Sequence, residues 1–158
     1  MRKRFARPTI GFAVCCLVLA LAAPGLSNYQ GRYRGRGYSK ADVDRIIKRV
    51  EERSDEFKKI FDNALDRSVL DGTKTEDRLN ERVKDFEKEL DDLRGEFDRK
   101  DSWRETRANV EEVMRDAEGV NIVMRNRSLP ARVETGWAVL RAELNKLAGI
   151  YNLPRLKA

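Results

Sequence analysis

Between Thr75 and Phe97 the apolar residues are Leu79, Val83, Phe86, Leu90, Leu93 and Phe97, spaced 4, 3, 4, 3, 4, and all the rest bar Gly95 is polar or charged. That rhythm is the a/d seam of an α-helix packed lengthwise against other helices. A strand would need alternation by twos. The seam therefore fixes the class of structure into which this stretch can fold.

Three more stretches repeat the pattern. The first carries Val43, Ile46, Ile47, Val50, Phe57, Ile60, Phe61, Ala64 and Leu65, with Ser54 in the gap between Val50 and Phe57. A serine on such a face usually lets a neighbouring helix approach and bonds back to its own helix. Another carries Trp103, Thr106, Val110, Val113, Met114, Ala117, Val120 and Met124, with Gly119 marking a close helix contact or a slight kink. The last carries Val133, Trp137, Leu140, Leu144, Leu147, Ala148 and Tyr151, and Pro154 ends it. Both tryptophans are expected on core faces.

Caps and breakers separate the four. Ser39 with Asp42, Thr73 with Glu76 and Ser102 with Glu105 have capping-box spacing, and Pro130 suits a first helical position. Gly72 breaks the chain within Asp66–Asp77, where Val69 and Leu70 are expected to tuck against the helices. With 38% charged residues and only four prolines in 158, the chain reads as all-α: an antiparallel up-down four-helix bundle over residues 39–153, with helices of about 22–28 residues. On the second helix, Arg78–Glu81, Glu81–Lys84, Lys84–Glu87, Lys88–Asp91 and Asp91–Arg94 are expected to pair across its outer face.

The N-terminus has the form of a secretory signal. Arg2, Lys3, Arg4 and Arg7 precede an apolar run from Gly11 to Ala23, and Ala22, Ala23 or Gly25-Leu26-Ser27 offer small residues for cleavage. Residues 1–27 are read as a signal peptide, and the location as periplasmic or extracellular. The alternative is an uncleaved anchor in the inner membrane, since no charge falls between Pro8 and Gln30. The run itself is shorter than the ~20 residues of a membrane span, so no stable span is expected after cleavage.

Net charge follows this division. Of the overall +6, the signal holds four charges and Arg32, Arg34, Arg36 and Lys40 hold four more, which leaves the chain from Ala41 onward at −2. Residues 28–38 (NYQGRYRGRGY) have no aliphatic side chain and cannot bury a core, so they read as a disordered linker. Their other reading is an anionic-polymer contact through Arg32, Tyr33, Arg34, Arg36 and Tyr38, with arginine for anionic groups and tyrosine for stacking. Residues 154–158 read as a short basic C-terminal tail.

The missing residue types exclude much chemistry. There is no histidine, and Cys15 and Cys16 both lie in the signal. Zinc, di-iron and haem ligand sets, disulfides and His- or Cys-based nucleophiles are therefore not expected, nor is a phosphate-cradling glycine loop. An EF-hand fails in the Asp66–Asp77 stretch. Setting Gly72 sixth puts Arg67 first, where a carboxylate is required, and setting Asp66 first puts Asp71 in the glycine position. No catalytic, cofactor-binding or metal residue is expected, and no small-molecule substrate.

Two strings also carry a resemblance: Asp66-Arg67-Ser68-x-Leu70-Asp71-Gly72-Thr73-x-x-Glu76-Asp77-Arg78, and Trp137-x-x-Leu140-x-x-x-Leu144-x-x-Leu147-Ala148-x-x-Tyr151-Asn152. Together they resemble a group of short uncharacterised secreted helical proteins of environmental bacteria. The resemblance implies a signal peptide and a helical bundle and brings no activity. The expected role is a non-enzymatic structural or interaction module of the cell envelope, monomeric or dimeric, whose partner is an envelope protein or an anionic polymer. The alternatives are an anionic-polymer or membrane-surface binder acting through the Arg/Tyr segment, and a holdase-type periplasmic chaperone.

Overall fold

The computed structural model describes residues 37–158. Among them 79% are helical and none lies in a strand. The helices are α1 (Lys40–Leu65), α2 (Lys74–Arg99), α3 (Arg107–Asn126) and α4 (Ala131–Ile150), packed together as the seams require. One 3-10 turn, Trp103–Thr106, leads into α3. The α-helix expected from Trp103 thus begins four residues later, and α3 and α4 have 20 residues each, fewer than expected.

The caps explain where the helices start. Ser39 Oγ accepts the Asp42 N–H at 3.1 Å, and the Asp42 carboxylate accepts the Ser39 N–H at 3.0 Å, a complete capping box. The Ser102–Glu105 box also forms. The Thr73–Glu76 box is only half made. Thr73 Oγ1 accepts the Glu76 N–H at 3.3 Å, but the Glu76 carboxylate reaches one residue further back, to the Gly72 N–H at 2.7 Å. Pro130 stands at the N-cap of α4, one residue before the position expected for it, and its carbonyl accepts the Val133 and Glu134 N–H groups. Helix α4 ends in a Schellman turn: Asn152 adopts φ 54°, and the Leu153 N–H reaches the Ala148 carbonyl at 2.9 Å.

All six residues of the α2 seam are buried, as are Val43, Ile47, Val50, Phe57, Phe61 and Leu65 of α1. Helix α1 packs most closely on α4, and α2 on α3. Residue numbers fall on one helix as they rise on its neighbour. Arg94 of α2 meets Asp44 and Glu51 of α1, and Glu87 meets Lys58. Glu143 of α4 meets Arg49 of α1. Phe57 and Trp137 meet across the α1–α4 seam with centroids 5.3 Å apart and planes tilted by 53°.

The outer-face ion pairs expected on α2 do not form. Lys88 pairs with Glu89 and Asp92, while Glu87 and Arg94 are turned toward α1. Trp137 is buried as expected; Trp103 is half-buried and donates its indole N–H to the Tyr38 carbonyl at 2.9 Å. Gly119 marks close contact: a Cβ there would stand 3.2 Å from Arg82 Nη1. Ser54 is buried, but its hydroxyl does not bond back to its helix and has no partner.

The C-terminal segment is folded onto the bundle. Leu156 is buried, and the Asn145 side-chain amide holds its backbone at both groups, accepting from the N–H at 2.8 Å and donating to the carbonyl at 3.1 Å. Asn121 and Arg141 donate to the Lys157 carbonyl at 3.0 and 3.2 Å.

Candidate functional site

The α1 stripe is wider than its seam. Ile60 and Ala64 stand beside Phe57, Phe61 and Leu65, and only the last three are fully buried. Ile60 and Ala64 therefore remain half-open and floor a groove of about 640 Å³ at the end of the bundle where α1 finishes and α4 begins. Leu70, Leu129, Pro130 and Val133 supply the rest of its apolar surface.

Two connections wall the groove. In the α1–α2 connection, Ser68 Oγ accepts the Leu70 N–H at 3.0 Å, and the Leu70 carbonyl accepts from Thr73 Oγ1 at 2.6 Å. These bonds turn Leu70 inward and leave Val69 96% exposed at the lip. The expectation that both would tuck in is thus met by Leu70 only. A single turn this tight cannot send adjacent side chains to the same side. The other wall is the short α3–α4 connection, whose Pro130 provides no side-chain cap for α4.

The groove's charge is one-sided. Lys59 and Arg67 lie along one wall, Arg127 and Arg132 along the other, and no carboxylate lines it. All four side chains are exposed, and none makes a salt bridge among the described residues. The described helices otherwise mix signs closely, with ion pairs such as Arg53–Glu56 and Lys146–Glu143. A second groove of about 430 Å³ shares Ile60 and Arg132 with the first and runs on along Phe57, Gly136 and Val139.

Three carboxylates gather nearby: Asp66, Asp71 and Glu76 have oxygens within 4.8 Å of one another. Glu76 is the buried one and already holds the Gly72 N–H; the two aspartates stand in water. Calcium takes six to eight oxygens, and a cluster of this composition is explained by its turn and helix N-terminus alone.

A different electrostatic feature lies between α2 and α3. Burial pushes the Asp116 carboxyl above its ordinary range, and the like charges of Glu89, Asp85 and Glu112 push it the same way. At the far end of the bundle, the Tyr151 hydroxyl lies 2.9 Å from Thr106 Oγ1 and 3.0 Å from the Trp103 carbonyl, and burial raises its pKa. Each polar atom in this trio is used in packing.

Of the residues expected to contact an anionic polymer, Arg32, Tyr33, Arg34 and Arg36 lie outside the described residues, as does the signal peptide assigned to residues 1–27. Tyr38 is described: its side chain is half-exposed, and its carbonyl is held by Trp103. None of the groove cations is among the site residues expected from the sequence, where Arg67 enters only in the failed EF-hand register and in the resemblance string. The available signal is the stretch Arg125 to Arg132, which carries three arginines and no acid.

No family model, curated protein or solved structure matches the chain. Among the described residues, no helix is long and apolar enough to cross a membrane.

Proposed function

We propose that the protein is an exported, non-enzymatic binding module of the cell envelope: an antiparallel up-down four-helix bundle carried behind a cleaved signal peptide. The observation that carries the binding role is the groove between the α1–α2 and α3–α4 connections, apolar in its floor and cationic on both walls. Pockets of roughly 300–1,000 Å³ lined by apolar side chains with a few placed polar groups are the usual form of a ligand site. Export is supported by the basic n-region, the apolar run Gly11–Ala23 and the small residues after it. The lack of histidine, and of cysteine outside the first 27 residues, supports a role without redox, metal or nucleophile chemistry.

Fractionation of a Gram-negative host expressing the full chain with a C-terminal tag tests the reading. The expected product is a periplasmic or extracellular protein whose intact mass lacks the first 22–27 residues. Full-length protein retained in the cytoplasm overturns it.

A further inference from the structure

We propose that the groove binds a single-chain anionic amphiphile, a long-chain carboxylate, with its head group between Arg67 and Arg132 and its alkyl chain over Ile60 and Leu129. The proposal rests on the reading of the protein as an exported binding module and gives that module a ligand class.

Charge complementarity selects the head group. Four cations line the groove, no carboxylate does, and none of the four is engaged in a salt bridge among the described residues. Arginine presents a planar fork that matches a carboxylate.

The floor selects an alkyl chain over a peptide. Ile60 and Ala64 come from one helix and Val133 from another, and the backbone groups of that helical floor are already bonded within their own helices. A peptide laid on that floor would find no backbone partner in it for its own N–H and C=O groups, a cost that an acyl chain does not incur. The apolar surface also extends beyond the first groove. Past Ile60 it continues into the second groove along Phe57 and Val139, where Gly136 lets Ile60 and Phe57 pack close: a Cβ there would stand 3.5 Å from Ile60 Cδ1 and 3.7 Å from Phe57 Cδ2. The site is concave, which suits one chain enclosed by side chains better than the face of a bilayer.

The test titrates the full chain with sodium dodecanoate below its micelle threshold, by calorimetry and by NMR of the Ile60, Val69 and Val133 methyl groups. Expected is saturable one-to-one binding that perturbs these methyls and strengthens about two- to fourfold per added methylene between octanoate and dodecanoate. Dodecylammonium should bind at least tenfold more weakly, and acetate should not register. The R127E/R132E double variant should lose at least tenfold in affinity for dodecanoate at unchanged helicity. If that variant does not fold, the comparison of dodecanoate with dodecylammonium on the unaltered chain still decides.

Equal binding of the two amphiphiles, no saturable binding, or perturbation confined to methyls elsewhere would overturn the proposal. So would a ligand-free dimer dissolved by R127E/R132E, which assigns the groove to a second copy. Retention on anionic-phospholipid vesicles that dodecanoate does not compete away would assign it to a bilayer and overturn it as well. An exported protein that ignores dodecanoate loses only this ligand; a protein held full-length in the cytoplasm loses the module reading whatever it binds.

Discussion

Arg94 of α2 grips Glu51 of α1 through two parallel hydrogen bonds, Nε to Oε1 and Nη2 to Oε2, each 2.9 Å long. Its remaining nitrogen donates to Asp44 Oδ1 at 2.7 Å, and the guanidinium lies 5.8 Å from the Phe97 ring centroid. One side chain thus ties together two turns of α1. With 20% of the side chain exposed, this is neither a fully solvated pair nor a fully buried one. Arg94→Ala is expected to cost about 1.5 kcal/mol in urea unfolding, above the usual surface pair and below a buried one. Arg94→Lys keeps the charge without the fork and should recover less than half of it.

The pH dependence of that cost has a definite sign. A hydrogen bond from Lys48 holds the Asp44 carboxyl below its ordinary range; burial opposes this, and Arg94 adds to the lowering. A carboxyl depressed in the folded state contributes stability that is present above the ordinary carboxylate pKa and is lost as pH falls through the folded value. The Arg94→Ala penalty should therefore be constant near neutrality and shrink below about pH 4. A penalty that grows on acidification would refute the Asp44 contribution.

Ser54 faces the core between Val50 and Phe57, and its hydroxyl has no partner. An unpaired buried hydroxyl has lost its water without replacement. Ser54→Ala removes that polar group and improves helix propensity. The expected outcome is a gain of about 1 kcal/mol, read as a raised urea midpoint at unchanged m-value.

Asn121 is completely buried on α3 and bonded on both sides. Its Oδ1 accepts the Trp137 indole N–H at 3.0 Å, and its Nδ2 donates to the Lys157 carbonyl at 3.0 Å. Truncation to alanine leaves that indole without an acceptor and frees the C-terminal segment from one of its anchors. Asn121→Ala should cost about 2–3 kcal/mol, the scale of a buried group left unsatisfied. Asn145→Ala removes only the clamp on Leu156 and should cost about 1 kcal/mol, with faster amide exchange at Leu156 as its local sign.

Gly72 and Gly95 should respond to alanine in opposite directions. Gly72 sits at φ 69°, a left-handed conformation that strains any residue with a Cβ. Gly95 lies inside α2 with nothing within 4 Å of an added Cβ. Gly72→Ala should destabilise by about 1 kcal/mol, and Gly95→Ala should stabilise by about 0.5–1 kcal/mol. Two thermal melts compare them.

The α2 seam was legible because periodicity is local: each of Leu79 to Phe97 needs only its neighbours at three and four residues to declare a face, and all six are buried. Caps were legible for the same reason at Ser39 and Ser102. What stayed hidden depends on which distant parts of the chain meet. Arg94 had Asp91 three residues away as a paper partner, and only the approach of α1 diverts it to Glu51. Asn121 is polar on an apolar helix, and the need for it appears only once Trp137 and Lys157 arrive. The groove is a similar case. Lys59 and Arg127 are ordinary surface cations in sequence, and they share a site because α1 ends beside the start of α4.

Asp116 provides the converse of the Asp44 case. Its carboxyl is raised by burial first, then by Glu89, Asp85 and Glu112, with Arg115 opposing. A raised carboxyl binds its proton more tightly in the folded state than in the unfolded one. Stability therefore falls as pH rises between the two values, and the cost is carried in full at neutral pH. Asp116→Asn removes the charge while keeping the shape, so it should stabilise the bundle at pH 7. The gain should be up to about 0.5 kcal/mol, in keeping with a half-exposed position. The advantage should vanish below the ordinary aspartate pKa, where the native carboxyl is already protonated. Unfolding of the two proteins at pH 7 and pH 3 measures both ends, and an advantage that persists at pH 3 would assign it to packing instead of charge.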